Sequence, residues 1–508
     1  MAVPSPDQAA RPNDRLSTQI AIVGCGPGGA VTGMLLSEAG YDVVLLEEGP
    51  HLPLGSAPHF SMEEMTQKCR NGGITVGFGK VAMAYVEGCC VGGGSEVNRG
   101  LYNRTPPEVL EDWRREHLVE ALTPEDLAPH FEACEQVARI SYLPGDPPPT
   151  SRKLREGAKT LGWECVEVPR LVTYETHGET GHVGKKESMS ATFVPRCLAA
   201  GGRILPGTRA ARLTRNGGRW RIRAESSQGE PRPFEIEAET VFVACGAIET
   251  PSLLRRSGIT RNVGDTLRFH PMIKVVAQFT DEVNAPGQLD PVHQVREFDP
   301  RFSMGCSISS RPALAMAMVD HPDNMPEIDR YWRHMAIYYA QSTGGRAVVR
   351  NLPGYHDPLV RLRLAPADLR ELAEGLRRLC ECLFAAGAVA IYPGIANSPI
   401  LRGEADLALL PEILPSRGAN LSTLHLFSTC RMGRNRSQCV ADSFGRVYDA
   451  DQLYVADASL LCGPTVVNPQ ASVMAVAHRN ATDFLERDRR SRRSMQANQN
   501  AHSELCNQ

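Results

Sequence analysis

The stretch that most constrains the fold is QIAIVGCGPGG, residues 19–29. QIAIV is a short apolar run of strand composition, and the residues after GCGPGG read as a helix to Gly40. YDVVLLEEG (41–49) then supplies a second strand that reaches Glu47. Gly24, Gly26 and Gly29 fall between strand and helix with the GxGxxG spacing. The first glycine allows a tight turn, the second lets a pyrophosphate approach the backbone, and the third lets helix and strand pack closely. Glu47, 18 residues beyond Gly29, is placed to accept hydrogen bonds from an adenosine ribose. Three glycines alone could be a turn. A strand before, a helix after and an acid at this distance make the segment a dinucleotide-binding unit, with NAD and FAD both open.

A nicotinamide dehydrogenase would continue with regular βα units. This chain enters instead the glycine-dense segment GCCVGGGSEVNRGLYNRTPPEVLEDW, residues 88–113. Gly92, Gly93 and Gly94, followed by Ser95 and Asn98, suit a backbone pressed against a flat or phosphorylated ligand. A flexible loop is the alternative; beside the first motif the segment reads as a second cofactor contact. Near the other end, GPTVVNPQAS (463–472) precedes a helical stripe through Met474, Ala477, Ala481 and Phe484. Asn468 is a favoured N-cap and Pro469 suits the first helical position. A helix start there offers unpaired amides to an anion.

Four segments in order carry a family resemblance: GCGPGG, VGGGSEVN, ETVFVACGAIETPSLLRRSGI (239–259), and HLFSTCRMG (425–433) through LYVADASLLCGPTVVNPQ (453–470). In these the chain resembles the glucose–methanol–choline (GMC) oxidoreductases, a family of FAD enzymes. The CRMG and NPQ wording is similar to bacterial members acting on long-chain or polyhydric alcohols. The resemblance implies an α/β fold: a Rossmann-like FAD-binding domain of the GMC type, with a mixed-sheet substrate-binding domain inserted. The expected boundaries are 19–110, 195–275 and 425–486 for the FAD domain, and 111–194 and 276–424 for the substrate domain. Residues 1–18 are expected to be a disordered lead-in, and 487–508 a disordered basic tail containing RDRRSRRS. Local patterns agree with a mixed sheet. RAVVRNL (346–352) and PLVRLRL (358–364) read as strands, and Leu369, Leu372, Leu376, Leu379 and Leu383 mark one face of a helix that stops at Gly387.

The resemblance also implies site roles. His425, at the head of HLFSTCRMG, is the expected general base, since a neutral imidazole suits removal of a hydroxyl proton. Asn468 is expected to hold the substrate oxygen; N-capping alone would equally explain it. The expected cofactor contacts are Gly24, Gly26, Gly29, Glu47, Gly93, Gly94, Ser95, Asn98, Asp457, Ala458 and Pro469, with the Pro469 helix start facing the flavin. Asp457 could equally cap a turn. Val97 stands where some relatives carry a histidine bonded to flavin, so FAD is expected to be held non-covalently. His270, in RFHP, is assigned a structural part. The implied activity is FAD-dependent oxidation of a primary or secondary alcohol to an aldehyde or ketone, with oxygen, a quinone or a redox partner taking the electrons. A flavin-containing lyase of the cyanohydrin type and a nicotinamide dehydrogenase are the alternatives.

Composition narrows the field further. A net charge of −3 argues against a general nucleic-acid binder. No run of about 18 apolar residues appears, so no membrane span is expected. The polar N-terminal stretch lacks the apolar centre of a secretory signal, which points to a cytoplasmic protein. Fifteen cysteines without CxxC spacing read as reduced core thiols, and no metal site is expected.

Overall fold

A computed structural model of the chain describes residues 16–177, 181–227 and 232–506. Residues 1–15 of the expected disordered lead-in lie outside the described residues, whereas residues 16–18 already belong to the first strand. That strand, β1 (Leu16–Val23), runs into the glycine turn and helix α1 (Pro27–Glu38), and the chain returns as β2 (Val43–Glu47). Pro27 at the start of α1 costs nothing, because a first-turn amide has no helical partner. β1 pairs parallel with β2 as far as Val23↔Leu46, and with the strand Pro233–Val243 as far as Val23↔Val243. Pro233–Val243 pairs parallel in turn with Leu453–Val455, ending at Val243↔Val455.

This register decides where a site can form. Four strands finish side by side, so the turns after Val23, Leu46, Val243 and Val455 meet along one rim at the carboxyl ends, where open α/β sheets bind ligands. β2 is buried at every position, as a parallel strand covered on both faces must be. The whole sheet has seven strands, with Arg203–Pro206 on one edge and an antiparallel pair, Arg219–Ser226 and Thr208–Asn216, on the other. α1 packs against the helix Phe193–Ala199 and the C-terminal helix Gln470–Cys506.

A second sheet of nine strands is centred on Met272–Phe279, flanked by Met335–Ser342, Leu421–Thr423 and Ala388–Pro393. The leucine-striped segment forms the helix Pro366–Ala385 and buries Leu369, Leu372, Leu376, Leu379 and Leu383 against this sheet. The two expected strands form as Arg346–Arg350 and Leu359–Arg363, paired antiparallel. They belong to a small sheet that continues through Leu267–Phe269 to Leu426–Phe427.

Two parts of the expected division differ from what is observed. The helices Pro107–His117 and Pro124–Ala138, assigned to the substrate domain from residue 111 onward, bury Trp113, Leu127 and Phe131 in the first core. The strands Thr75–Gly77 and Met83–Tyr85, assigned to the FAD domain, join the second sheet. The basic tail is also not disordered throughout: the last helix continues to Cys506. No glycine or proline interrupts residues 471–506. Acid-to-arginine pairs one turn apart reinforce it, Asp483–Arg487 at 2.7 Å, Glu486–Arg490 at 3.0 Å and Asp488–Arg492 at 2.6 Å. The described cysteines are free and mostly buried.

Candidate active site

A cavity of about 490 Å³ runs from the glycine turn of the first sheet to the inner face of the second. Its glycines divide into two kinds. A Cβ on Gly24 would lie 2.2 Å from the Ala244 carbonyl oxygen, and one on Gly29 would lie 2.0 Å from the Gly24 oxygen. A Cβ on Gly28 would lie 1.8 Å from the Ala456 oxygen. These three let the turn close on its neighbours, and Gly24 has a φ of +104° besides. Gly29 does not line the cavity and serves packing. Gly26 and Gly94 differ: nothing lies closer than 3.9 Å to a Cβ on Gly26, nothing within 4 Å of one on Gly94, and both line the cavity. Gly93, with φ +55°, passes so near Gly26 that a Cβ there would reach its Cα at 2.8 Å. The two glycine motifs, about seventy residues apart in sequence, thus form one cradle open to a ligand.

Acidic groups tie the cradle together. Glu47 accepts from the Cys25 amide at 3.0 Å and the Gly49 amide at 2.9 Å, and burial pushes its pKa up to about 7. Asp457 accepts from the Gly246 amide (2.8 Å) and the Thr250 hydroxyl (2.5 Å) through one oxygen. Its other oxygen accepts from the Ser459 amide (2.8 Å) and hydroxyl (2.5 Å). The carboxylate therefore fastens the GAIET helix to the ADAS turn. Burial raises its pKa against the pull of these four donors. Ala458 and Pro469 line the cavity beside it.

Ser95 corrects one expectation. Its hydroxyl is buried, donates to the Gly92 carbonyl at 2.7 Å and accepts from the Met189 amide at 3.0 Å, and the residue does not line the cavity. Asn98 does line it, with its side chain braced by Gln470 at 2.5 Å and the Gly100 amide at 2.9 Å. Sequence reasoning missed a charged group at the Glu47 end. Arg70 forks onto Glu48 at 2.8 and 3.2 Å, with Arg209 and Arg256 beside it on the cavity wall. These come from distant segments without a local pattern; only the strand pairing assembles them.

At the far end, the antiparallel pair Phe269↔Leu426 sets RFHP beside HLF, so His270 and His425 face each other. Their Nδ1 atoms are 3.0 Å apart, and His425 Nε2 lies 3.1 Å from Asn468 Nδ2. Asn468 Oδ1 accepts from Asn103 Nδ2 and Gln294 Nε2, each at 3.1 Å, which fixes its amide orientation. This answers the capping alternative. The side chain of Asn468 is turned toward His425 and these two amides rather than toward the helix start, and the helix begins at Gln470, with the Pro469 carbonyl accepting from Val473 at 3.0 Å. Burial, then the nearby Arg99 charge, pushes the His425 pKa down to about 4. His270 is held well below the ordinary histidine range by burial and by His425, and its Nε2 is buried without a partner.

Comparison with known proteins agrees with this geometry. Models of the GMC oxidoreductase family match residues 65–272 and 348–477, and an FAD binding domain model matches residues 17–53. An uncharacterized GMC-type oxidoreductase of Sinorhizobium fredii is 35% identical over 94% of this chain and 96% of its own length. The chain belongs to the GMC oxidoreductase family. A long-chain-alcohol oxidase of Arabidopsis thaliana is 25% identical over 91% of this chain and 67% of its own. The crystal structure of a pyridoxine 4-oxidase superimposes with a TM-score of 0.71 at 18% identity, over 92% of this chain and 99% of that one.

As a GMC oxidoreductase the protein uses FAD, and its residues fit that cofactor. The open faces of Gly26 and Gly94 leave room for a pyrophosphate, and Glu47 and His425 line the same cavity. Val97 lines the cavity and offers no atom for a covalent bond to flavin. Among the described residues no helix is long and apolar enough to cross a membrane, and no cluster of metal-ligating side chains occurs.

Proposed function

We propose that this protein oxidises a primary or secondary alcohol to an aldehyde or ketone, with His425 as general base and Asn468 holding the substrate oxygen. The observation that carries the reading is the hydrogen-bonded row His270–His425–Asn468 at the end of the cofactor cavity. The amide of Asn468 presents N–H to His425, so Nε2 of His425 is the acceptor and bears the lone pair. The ring proton of His425 then sits on Nδ1 and is donated to His270 Nδ1. A substrate hydroxyl enters by displacing the Asn468 N–H from Nε2: it then donates to that nitrogen and accepts from the released Asn468 amide.

FAD, when bound, supplies a hydride acceptor. The protein's part is to take the hydroxyl proton on His425 Nε2 as the carbinol hydrogen leaves with its electron pair. The depressed pKa keeps that nitrogen unprotonated at neutral pH. Gly24, Gly26, Gly93, Gly94, Glu47, Asn98, Asp457, Ala458 and Pro469 form the cofactor's bed, with the last helix opening toward it. Similarity to a long-chain-alcohol oxidase supports the alcohol class. Oxygen, a quinone or a redox protein regenerates the cofactor.

The test is anaerobic. Purified protein carrying FAD is mixed with alcohols of several classes and its flavin absorption is followed. Bleaching by one class in the wild type, and its loss in a His425→Ala variant that still holds FAD, is the expected result. Bleaching at an unchanged rate in that variant overturns the base assignment, and turnover of a cyanohydrin without bleaching replaces oxidation with lyase chemistry.

A further inference from the structure

The cavity that His425 lines also carries two basic groups, Lys274 and Arg99, neither of which pairs with a carboxylate among the described residues. Lys274 lies on the strand Met272–Phe279, directly across from Tyr339. Alternation along this strand sends Ile273, Val275 and Ala277 into the core under the helix Pro366–Ala385. Met272 and Lys274 therefore face the other way, and with Tyr339 and Gln341 they line the cavity. Lys274 lies deep in the fold while part of its surface stays open to that cavity. Among the described residues its ammonium has no ion-pair or hydrogen-bond partner. Burial, and then the like charge of Arg99, pushes its pKa down; no carboxylate acts against them.

Arg99 lines the same cavity, and among the described residues its guanidinium donates only to the Pro291 carbonyl, at 3.0 Å. The neighbouring acid, Asp290, is already taken by Arg170 at 2.5 Å. The charged form of Lys274 is disfavoured by burial and by Arg99 until a ligand supplies the opposite charge, so the pair suits an anion. Met272, Ile308 and Met316 add apolar surface to the same cavity.

We infer that the substrate is an alcohol bearing a carboxylate, seated on Lys274 within the field of Arg99, with its carbon chain along that apolar surface. The inference rests on the proposed alcohol oxidation and names the substrate class for it. The ester or amide of the same molecule lacks the charge and leaves both cations unmatched, so discrimination resides in binding.

The experiment uses the FAD-loaded protein and two readouts. The first is equilibrium binding, by perturbation of the flavin spectrum, of a straight-chain monocarboxylate without a hydroxyl, compared with the amide of equal length. The second is anaerobic flavin reduction by an ω-hydroxy carboxylate, compared with its methyl ester. Truncating one partner of a buried charge pair commonly costs more than tenfold, so the carboxylate is expected to bind at least about tenfold tighter than the amide. The ratio should collapse toward one in Lys274→Met, shrink in Arg99→Gln, and survive in Lys274→Arg. Equal binding of carboxylate and amide by the wild type overturns the inference, as does a preference that persists in both Lys274→Met and Arg99→Gln. If the carboxylate binds through Lys274 but no hydroxy compound bleaches the flavin, the anion site stands and the oxidation reading fails.

Discussion

His425 has two ring nitrogens with opposite duties, and its neighbours decide which is which. Asn468 turns an N–H toward Nε2, and His270 offers Nδ1 as the acceptor on the other side. Because the folded pKa is depressed to about 4, protonation would disable His425 as the proposed base only near that value. The rate of flavin reduction at low substrate, measured against pH, should therefore hold as pH falls through 6.5 and decline only toward 4. An acid limb centred near 6.5 would show that the imidazole is not desolvated as described. Replacing Asn468 with alanine removes the amide donor to the substrate oxygen and should slow reduction by about a hundredfold, with FAD still bound in the absorption spectrum. At this scale the sequence was partly legible. His425 and Asn468 lie within a recognisable wording, but His270 carried no sign of its partner, since 155 residues separate it from His425. Lys274 was still less visible: one lysine in an apolar strand gains meaning only when the pairing shows which face it takes.

Among the elements, the glycine turn and the Asp457 bridge invite contrasting substitutions. Gly28→Ala drives a methyl to 1.8 Å from the Ala456 oxygen and should cost about 3 kcal/mol, at the upper end for overpacking. A denaturant midpoint shifted far down is the expected result. Gly26 has an ordinary extended backbone and no atom nearer than 3.9 Å, so Gly26→Ala should change stability by no more than about 0.5 kcal/mol. Its methyl stands on the open face of the cradle, however, and FAD retention after dialysis should fall sharply. If the two variants behave alike, packing and ligand approach are not separated as described. The strand–turn–helix unit was legible because its periodicities and glycine spacing are local. Ser95 was misread because a hydroxyl beside three glycines carries no record of which way it points. The last helix was read as ending early because a run of arginines resembles a solvated tail, although the acids four residues before them favour helix.

Across the whole molecule, residues from the two largest apolar cores line one cavity, which FAD would fill. A ligand that binds only the folded protein stabilises it by about 4 kcal/mol when its concentration is a thousand times Kd. Stripping FAD should therefore lower the melting temperature, and adding it back should restore the temperature in a concentration-dependent way. A melting temperature indifferent to FAD would separate the cavity from folding stability. The division into two parts was legible through the family resemblance, with local strand and helix patterns in agreement, but its boundaries were not. Helices such as Pro107–His117 follow the cofactor segment in sequence yet turn back to pack on the first core, a choice made by long-range contacts. The row of histidines has a last consequence. Behind His425, the row stops at His270 Nε2, which is buried and has no onward partner. In the proposed reaction a proton taken by His425 therefore finds no relay behind it among the described residues, and its way out lies on the cavity side. Under that proposal, discharge of the proton to water is expected to accompany departure of the product.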